Sequence, residues 1–191
     1  MFDLHTYFHK EPKIYRGPEL RPHFLLSQFQ IKGTGVVAFI GKCEVSTADL
    51  VDWEDRLNQD RIYAESMLHF LGEFFGQNLV EIVFFQRLMI SIIADVFRRN
   101  SSKKVIRKGD DLFVDGKKLT VSIVTSSAVS QLLHIGVNVD CTGAPVEAIG
   151  LNDCDIDPLS FGNEILDRIE SEWEGVQWAC VKVKPVGESH A

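Results

Sequence analysis

The chain is 191 residues long, carries a formal net charge of −7, and is 45% hydrophobic and 25% charged. That length suits one domain with a sizeable core, so a single domain over 1–191 is expected. The acidic balance argues against a generic nucleic-acid or anionic-membrane surface.

Met1 to Lys10 lacks a basic start followed by an apolar run, so no secretory signal is read there. His5 and His9 lie close together but have no partners at metal-ligand spacing, and no metal site is assigned. Ile14 to Gly17 reads as a short strand before a Gly17-Pro18 turn. Tyr15-Arg16-Gly17, with Glu19 and His23, is a candidate phosphate- or substrate-contacting loop with Arg16 as its cationic fork, although an ordinary surface loop accounts for it too. Phe24 to Ile31 is β-like, Gly33 to Gly35 a turn, and Val36 to Ile40 a compact apolar strand.

Ser46-Thr47 is placed to cap a helix starting at Ala48. Gln59 to Phe75 carries Ile62, Leu68, Leu71 and Phe75 at helical spacing and is expected to be a helix ended by Gly76. Glu65 and His69 would then sit one turn apart, either touching a ligand together or forming a commonplace helix-surface pair. Leu79 to Phe97 is a second, more apolar helix; Glu81, Gln86, Arg87 and Asp95 interrupt it, so it reads as buried and not as a membrane span. Arg98, Arg99, Lys103, Lys104, Arg107 and Lys108 follow as a basic stretch. It is either a phosphate or acidic-partner patch or a solvated loop after a helix, where cations suit the dipole. Asp157-Pro158 opens a third helix to about Glu174, Val176 to Lys184 alternates as a final strand, and Pro185 to Ala191 forms a loose tail. Cys43, Cys141, Cys154 and Cys180 show no CxxC spacing, which fits reduced thiols in cytoplasm. Strands, two helices, hairpin, strand, helix and strand in this order predict an α+β fold, a mostly antiparallel sheet with helices packed on one face.

The stretch from Arg107 to Asp140 carries the functional signal. Asp115-Gly116 between β-prone runs marks a two-residue hairpin turn, with Val114 opposite Lys117, Phe113 opposite Lys118, Leu112 opposite Leu119 and Asp111 opposite Thr120. One face then holds Leu112, Val114, Leu119, Val121 and Ile123; the other holds Asp111, Phe113, Lys118, Thr120 and Ser122. In the next strand Leu133, Ile135, Val137 and Val139 face one way, and His134, Gly136 and Asn138 the other. Such a polar face either meets water or receives a ligand. Its short side chains and the mid-strand glycine favour a ligand surface.

Gly109 to Leu119 resembles the signature of biotin protein ligases and lipoate protein ligases, in which an Asn-Asp pair, a strand and a tight turn precede a basic pair. The resemblance places Asp111 at the family aspartate and Lys118 at the family lysine, and His134 to Asn138 stands where the family has a His-Gly or Gly-Ile-Asn element. Asp110 replaces the usual Asn, and the family's Arg-Gly-rich adenylate loop has no counterpart. The chain is thus similar to an uncharacterised branch of this superfamily, of the type grouped as domain of unknown function 366. The resemblance implies the biotin/lipoate ligase fold, which is that of class II aminoacyl-tRNA synthetases.

It also implies activation of a small carboxylic acid by ATP, with Mg²⁺, through an acyl-adenylate. Lys118 would lower the repulsion between the acid and the α-phosphate, and Asp111 would orient Lys118 or hold Mg²⁺. Arg16, Asp110, Ser122, His134, Gly136 and Asn138 are the candidate substrate-binding residues. The implied protein partner is an acyl-carrier, lipoyl or biotinyl domain, with a homodimer allowed and neither nucleic acid nor membrane involved. Octanoyltransferases share this fold and add a nucleophilic cysteine after the His-Gly strand, which makes Cys154 a candidate nucleophile. Asp153, Asp155 and Asp157 around it oppose thiolate formation. A third reading is a non-catalytic nucleotide- or acyl-binding relative.

Overall fold

In chain order the computed structural model, which describes residues 3–59 and 61–186, forms β1 (His5–His9), α1 (Phe24–Phe29), β2 (Gly35–Val45), α2 (Trp53–Leu57), β3 (Ile62–Phe74) and α3 (Leu79–Asn100). There follow β4 (Val105–Lys108), β5 (Asp111–Val114), β6 (Lys117–Lys118), β7 (Thr120–Ser126), β8 (Gln131–Asp140) and α4 (Pro158–Val181). The main sheet has the order β1-β2-β3-β8-β7 and is antiparallel except where β1 joins β2. Strands β4, β5 and β6 make a small antiparallel sheet of their own. This is the expected α+β class.

The two long helices cover one face of the main sheet. Val36, Ala38, Leu68, Phe70, Leu133, Ile135 and Val137 from the strands meet Phe85, Met89, Ile93 and Phe97 of α3 and Phe161, Ile165 and Ile169 of α4. Both helices start on polar side chains. Asn78 Oδ1 accepts from Glu81 N at 3.1 Å while Asn78 N donates to Glu81 Oε2 at 2.8 Å, and Asp157 Oδ2 accepts from Ser160 N at 2.8 Å beside Pro158. The opposite face is thinner: Val37, Phe39, Val45, Met67 and Leu71 of the strands lie under Tyr15, Phe24, Leu25 and Leu50 from short elements and loops.

Several expectations are corrected. Residues 62–74 are a strand, not part of a helix from Gln59. Being central, β3 is buried on both faces, and such a strand reads as a nearly continuous apolar run that mimics helical spacing. Irregular pairing around Ser66 and Met67 blurs its alternation further. Phe24–Phe29 is helical, stopped by Gln30 at φ 59°. The expected final strand, Val176 to Lys184, is instead the exposed end of α4 as far as Val181, followed by residues outside any strand. Ser46 and Thr47 open only a single 3-10 turn, and the helix that follows is capped by Asp52. Ile14 to Gly17 contributes one bridge, Tyr15 to Cys43. The expected tail lies largely outside the described residues.

The hairpin forms as expected at its tip. Asp115 and Gly116 both have positive φ, 51° and 82°, as a type I′ turn requires, and Val114 pairs with Lys117 and Phe113 with Lys118. Leu112 also stands opposite Leu119, whose N donates to Leu112 O at 2.8 Å, and the register breaks only after that. Leu119 lies between β6 and β7, and the chain passes from the small sheet into the large one. Val121 and Ile123 therefore pair with Gly136 and His134 and leave the apolar face that holds Leu112, Val114 and Leu119.

Candidate functional site

On the face away from the long helices a half-open cavity of about 440 Å³ lies over β3, β8 and β7. That volume falls in the range of small-molecule sites. Its apolar wall includes Leu20, Val45, Leu50, Ile62, Met67, Val121 and Val146; its polar wall includes Asp110, Asp111, Lys118, Ser122, His134 and Asn138.

Lys118 is held there by its backbone. Its N donates to Glu147 O at 3.0 Å, and its O accepts from Ile149 N at 3.0 Å and from Asn138 Nδ2 at 3.1 Å. The ammonium then reaches Asp111 Oδ2 at 2.9 Å. Burial pushes the Asp111 carboxyl up from the usual range, and the hydrogen bond from Lys118 opposes that rise. Behind this pair, Asp110 is tied to α3: Gln86 Nε2 donates to Asp110 Oδ2 at 3.2 Å and to Ser122 Oγ at 2.8 Å, Ser122 donates to Asp110, and Arg87 lies 3.4 Å from it. Gln86 thus positions both Asp110 and Ser122 from the middle of an otherwise apolar helix face.

Deeper in the sheet two histidines touch. His69 Nε2 lies 3.3 Å from Gly41 O, and His69 Nδ1 lies 3.0 Å from His134 Nε2. A carbonyl only accepts, so His69 carries its proton on Nε2 and His134 donates from Nε2 to His69 Nδ1. Tyr15 stacks on His134 with centroids 3.9 Å apart and planes at 17°, and Phe39 stacks on His69. Burial lowers both imidazole pKa values: His69 falls to about 3, and His134, with His69 beside it, falls well below the ordinary value. Both rings are neutral at pH 7.

These observations meet known proteins at three levels. The family described as Domain of unknown function (DUF366) matches residues 4–184. The chain belongs to this family. Uncharacterized protein MJ0805 of Methanocaldococcus jannaschii is 33% identical over 180 residues, covering 86% of this DUF366 chain and 80% of that protein. A protein of unknown function from Pyrococcus horikoshi superposes with a TM-score of 0.91 at 33% identity, over 96% of this chain and 100% of that one. Ta0514 of T. acidophilum, a putative lipoate protein ligase with bound lipoic acid, gives 0.61 at 13% identity over 91% and 86%. Biotin protein ligase of Aquifex aeolicus in complex with biotin and ATP gives 0.59 at 12% identity over 88% and 70%. The DUF366 chain therefore has the biotin/lipoate ligase fold, as the hairpin signature implied.

Within this DUF366 protein the candidate residues separate. Asp110, Asp111, Lys118, Ser122, His134 and Asn138 all line the cavity. Gly136 lies beneath it, where a Cβ would fall 2.2 Å from Met67 Sδ. Arg16 is exposed and outside the lining; its N donates to Glu19. Cys154 is 6% exposed in the helix-side core, with burial raising its thiol pKa, and no cysteine lines the cavity among the described residues. Glu65 is exposed on the strand while His69 is fully enclosed, so the two do not act as the expected pair. Much of the basic stretch is engaged: Arg98 with Asp95, Arg99 with Glu164, Arg107 with Arg87 O and Ser91, and Lys108 over Phe113. Of the Tyr15-Arg16-Gly17 loop it is Tyr15 that reaches the cavity; Met67 and Gln86 were not expected there, nor was the contact of His69 with His134. The available signal was the recurrence of one histidine inside two apolar runs, Met67-Leu68-His69-Phe70 and Leu132-Leu133-His134-Ile135.

Proposed function

We propose that this protein binds a small carboxylic acid in the cavity and activates it with ATP. The observation that carries the reading is the Lys118–Asp111 pair, anchored by its backbone at the wall of a ligand-sized cavity. Two anions must approach one another in such a reaction, and a fixed cation between them lowers the barrier. Lys118 is that cation. Asp111 orients it, and Ser122 and Asn138 are neutral neighbours. ATP, when bound, supplies the adenylyl group and leaving pyrophosphate that make a carboxylate reactive. The donor set fits a nucleotide with its metal: Lys118 and Arg61 bring positive charge, and Asp110 and Asp111 offer the one or two carboxylates that Mg²⁺ takes beside phosphate oxygens. The lipoic acid, biotin and ATP named for ligases of the same fold support this choice of ligands.

The test is ATP–pyrophosphate exchange across a panel of carboxylic acids. Exchange should require an acid and vanish in Lys118→Ala, whose stability should stay within about 1 kcal/mol of the parent because the ion pair is partly exposed. Exchange that survives in Lys118→Ala sinks the proposal. Tight acid binding with no exchange reduces the site to a binding module.

A further inference from the structure

Helix α4 outruns the body it is packed on. Ile165, Ile169 and Trp173 hold it to the sheet and α3, and Trp173, with Phe74 and Phe85 against its ring, is the last buried residue of the helix. The helix runs on to Val181, about two turns further, and from Glu174 onward only Gln177 is half-covered. Trp178 is 62% exposed and Val181 72% exposed, and a Cβ on Gly175 would meet nothing within 4 Å. Two helical turns that bury nothing are marginal in water, and a glycine inside them weakens them further. A Trp and a Val gathered there with no core beneath them mark a surface for another molecule.

At 3.6 residues per turn, Glu174, Gly175, Trp178, Val181 and Lys182 share one stripe, on the side of α4 away from Ile169 and Trp173. Lys182 keeps helical geometry at the C-cap, so the stripe is continuous. It is also symmetric about Trp178: Gly175 and Val181 stand three residues to either side, and Glu174 and Lys182 four. We infer that this stripe is the contact face of a homodimer, in which α4 of a second copy crosses antiparallel at Trp178. A two-fold axis there sets the two indoles against each other and seats Val181 of each copy over Gly175 of the other, where the missing side chain gives it room. It also pairs Glu174 of each copy with Lys182 of the other, as a self-complementary interface requires. A parallel crossing would set Glu174 on Glu174 and Lys182 on Lys182, which like charge disfavours. Each copy carries −7 overall, so association needs such a local match of opposite charges. The stripe is short and Trp178 is its one large side chain, so the dimer is a weak one, below the area of permanent interfaces.

Sedimentation velocity of the full chain from about 1 to about 100 µM, a range that brackets weak association, tests it. The parent should shift from monomer to dimer as concentration rises. Trp178→Ala should stay monomeric over the whole range, with thermal unfolding at low concentration unchanged because the ring lies outside the core. Lys182→Glu sets carboxylate against carboxylate at both ends of the contact and should weaken the dimer about tenfold. Glu174→Lys/Lys182→Glu restores opposite charges across the axis and should return most of that loss, which only the antiparallel crossing allows. A parent that stays monomeric at the highest concentration, a dimer that survives Trp178→Ala, or a double exchange no tighter than Lys182→Glu overturns the inference. So does a monomer that binds vesicles of phosphatidylcholine and phosphatidylglycerol through Trp178, because the stripe then belongs to a lipid surface.

Discussion

The two faces of the main sheet solve different problems with the same strands. The helix side is closed by α3 and α4 and is almost wholly apolar, from Phe70 and Phe74 on β3 to Phe97 and Ile165 on the helices. The other side is closed by loops and short helices, and there the sheet buries His69, His134 and Asn138 beside the cavity. The first face stabilises by area removed from water. The second spends part of its area on polar groups satisfied by backbone carbonyls at Gly41 and Lys118, and it is left incompletely filled. Stability should therefore concentrate on the helix side and recognition on the loop side.

The largest expected effect lies on the helix side. Phe97→Ala removes a fully enclosed ring from α3 and should cost about 3–5 kcal/mol in denaturant unfolding. Ligand affinity, measured where the variant is still folded, should hardly change. A comparable loss of affinity at Phe97 would break the division between the faces.

The same division explains what could be read from the chain. The helices α3 and α4 and the hairpin tip are locally encoded: Asn78 with Glu81, Asp157 before Pro158, and Asp115-Gly116 each specify a cap or turn within a few residues. That Lys118 and Asp111 lie side by side could be read because that turn fixes their neighbourhood and the signature is contiguous. The helix misread over β3 arises from burial on both sides, which is a property of the sheet and not of residues 62–74 alone. The sheet switch at Leu119 leaves Val121 alternating as before in sequence while its face changes in space. Tyr15, His69 and Gln86 come from elements far apart in the chain, so no local pattern could show which of them meet His134 or Ser122.

A middle-sized effect follows from the buried histidine pair. Above the ordinary histidine pKa both folded and unfolded states are neutral and the pair is silent. Below about 6.5 the unfolded chain takes up protons that the enclosed rings refuse, so stability falls as pH drops. The slope should be about 1.4 kcal/mol per pH unit for each histidine, continuing for His69 until its folded value of about 3. Urea titrations between pH 7 and 5 should show the slope in the parent and a flatter line in His69→Phe/His134→Phe. A parent no steeper than that double variant would mean that the rings are not held neutral.

The smallest effect on stability should accompany a clear effect on recognition. In Gly136→Ala the new methyl would stand 2.2 Å from Met67 Sδ and 3.0 Å from Val121 Cγ2, both side-chain atoms on the cavity side of the sheet. Met67 is unbranched and can swing away, so the cost to folding should be about 1 kcal/mol or less. The space it swings into is the cavity, so ligand affinity should fall by more than the stability does. Adding Met67→Ala should return affinity by vacating that volume, while stability drops further because a buried side chain is lost. Opposite signs for the two readouts in one double variant would place recognition on the loop side of the sheet. If affinity instead tracks stability through both steps, the cavity floor is ordinary core and the contrast between the faces fails at its most sensitive point.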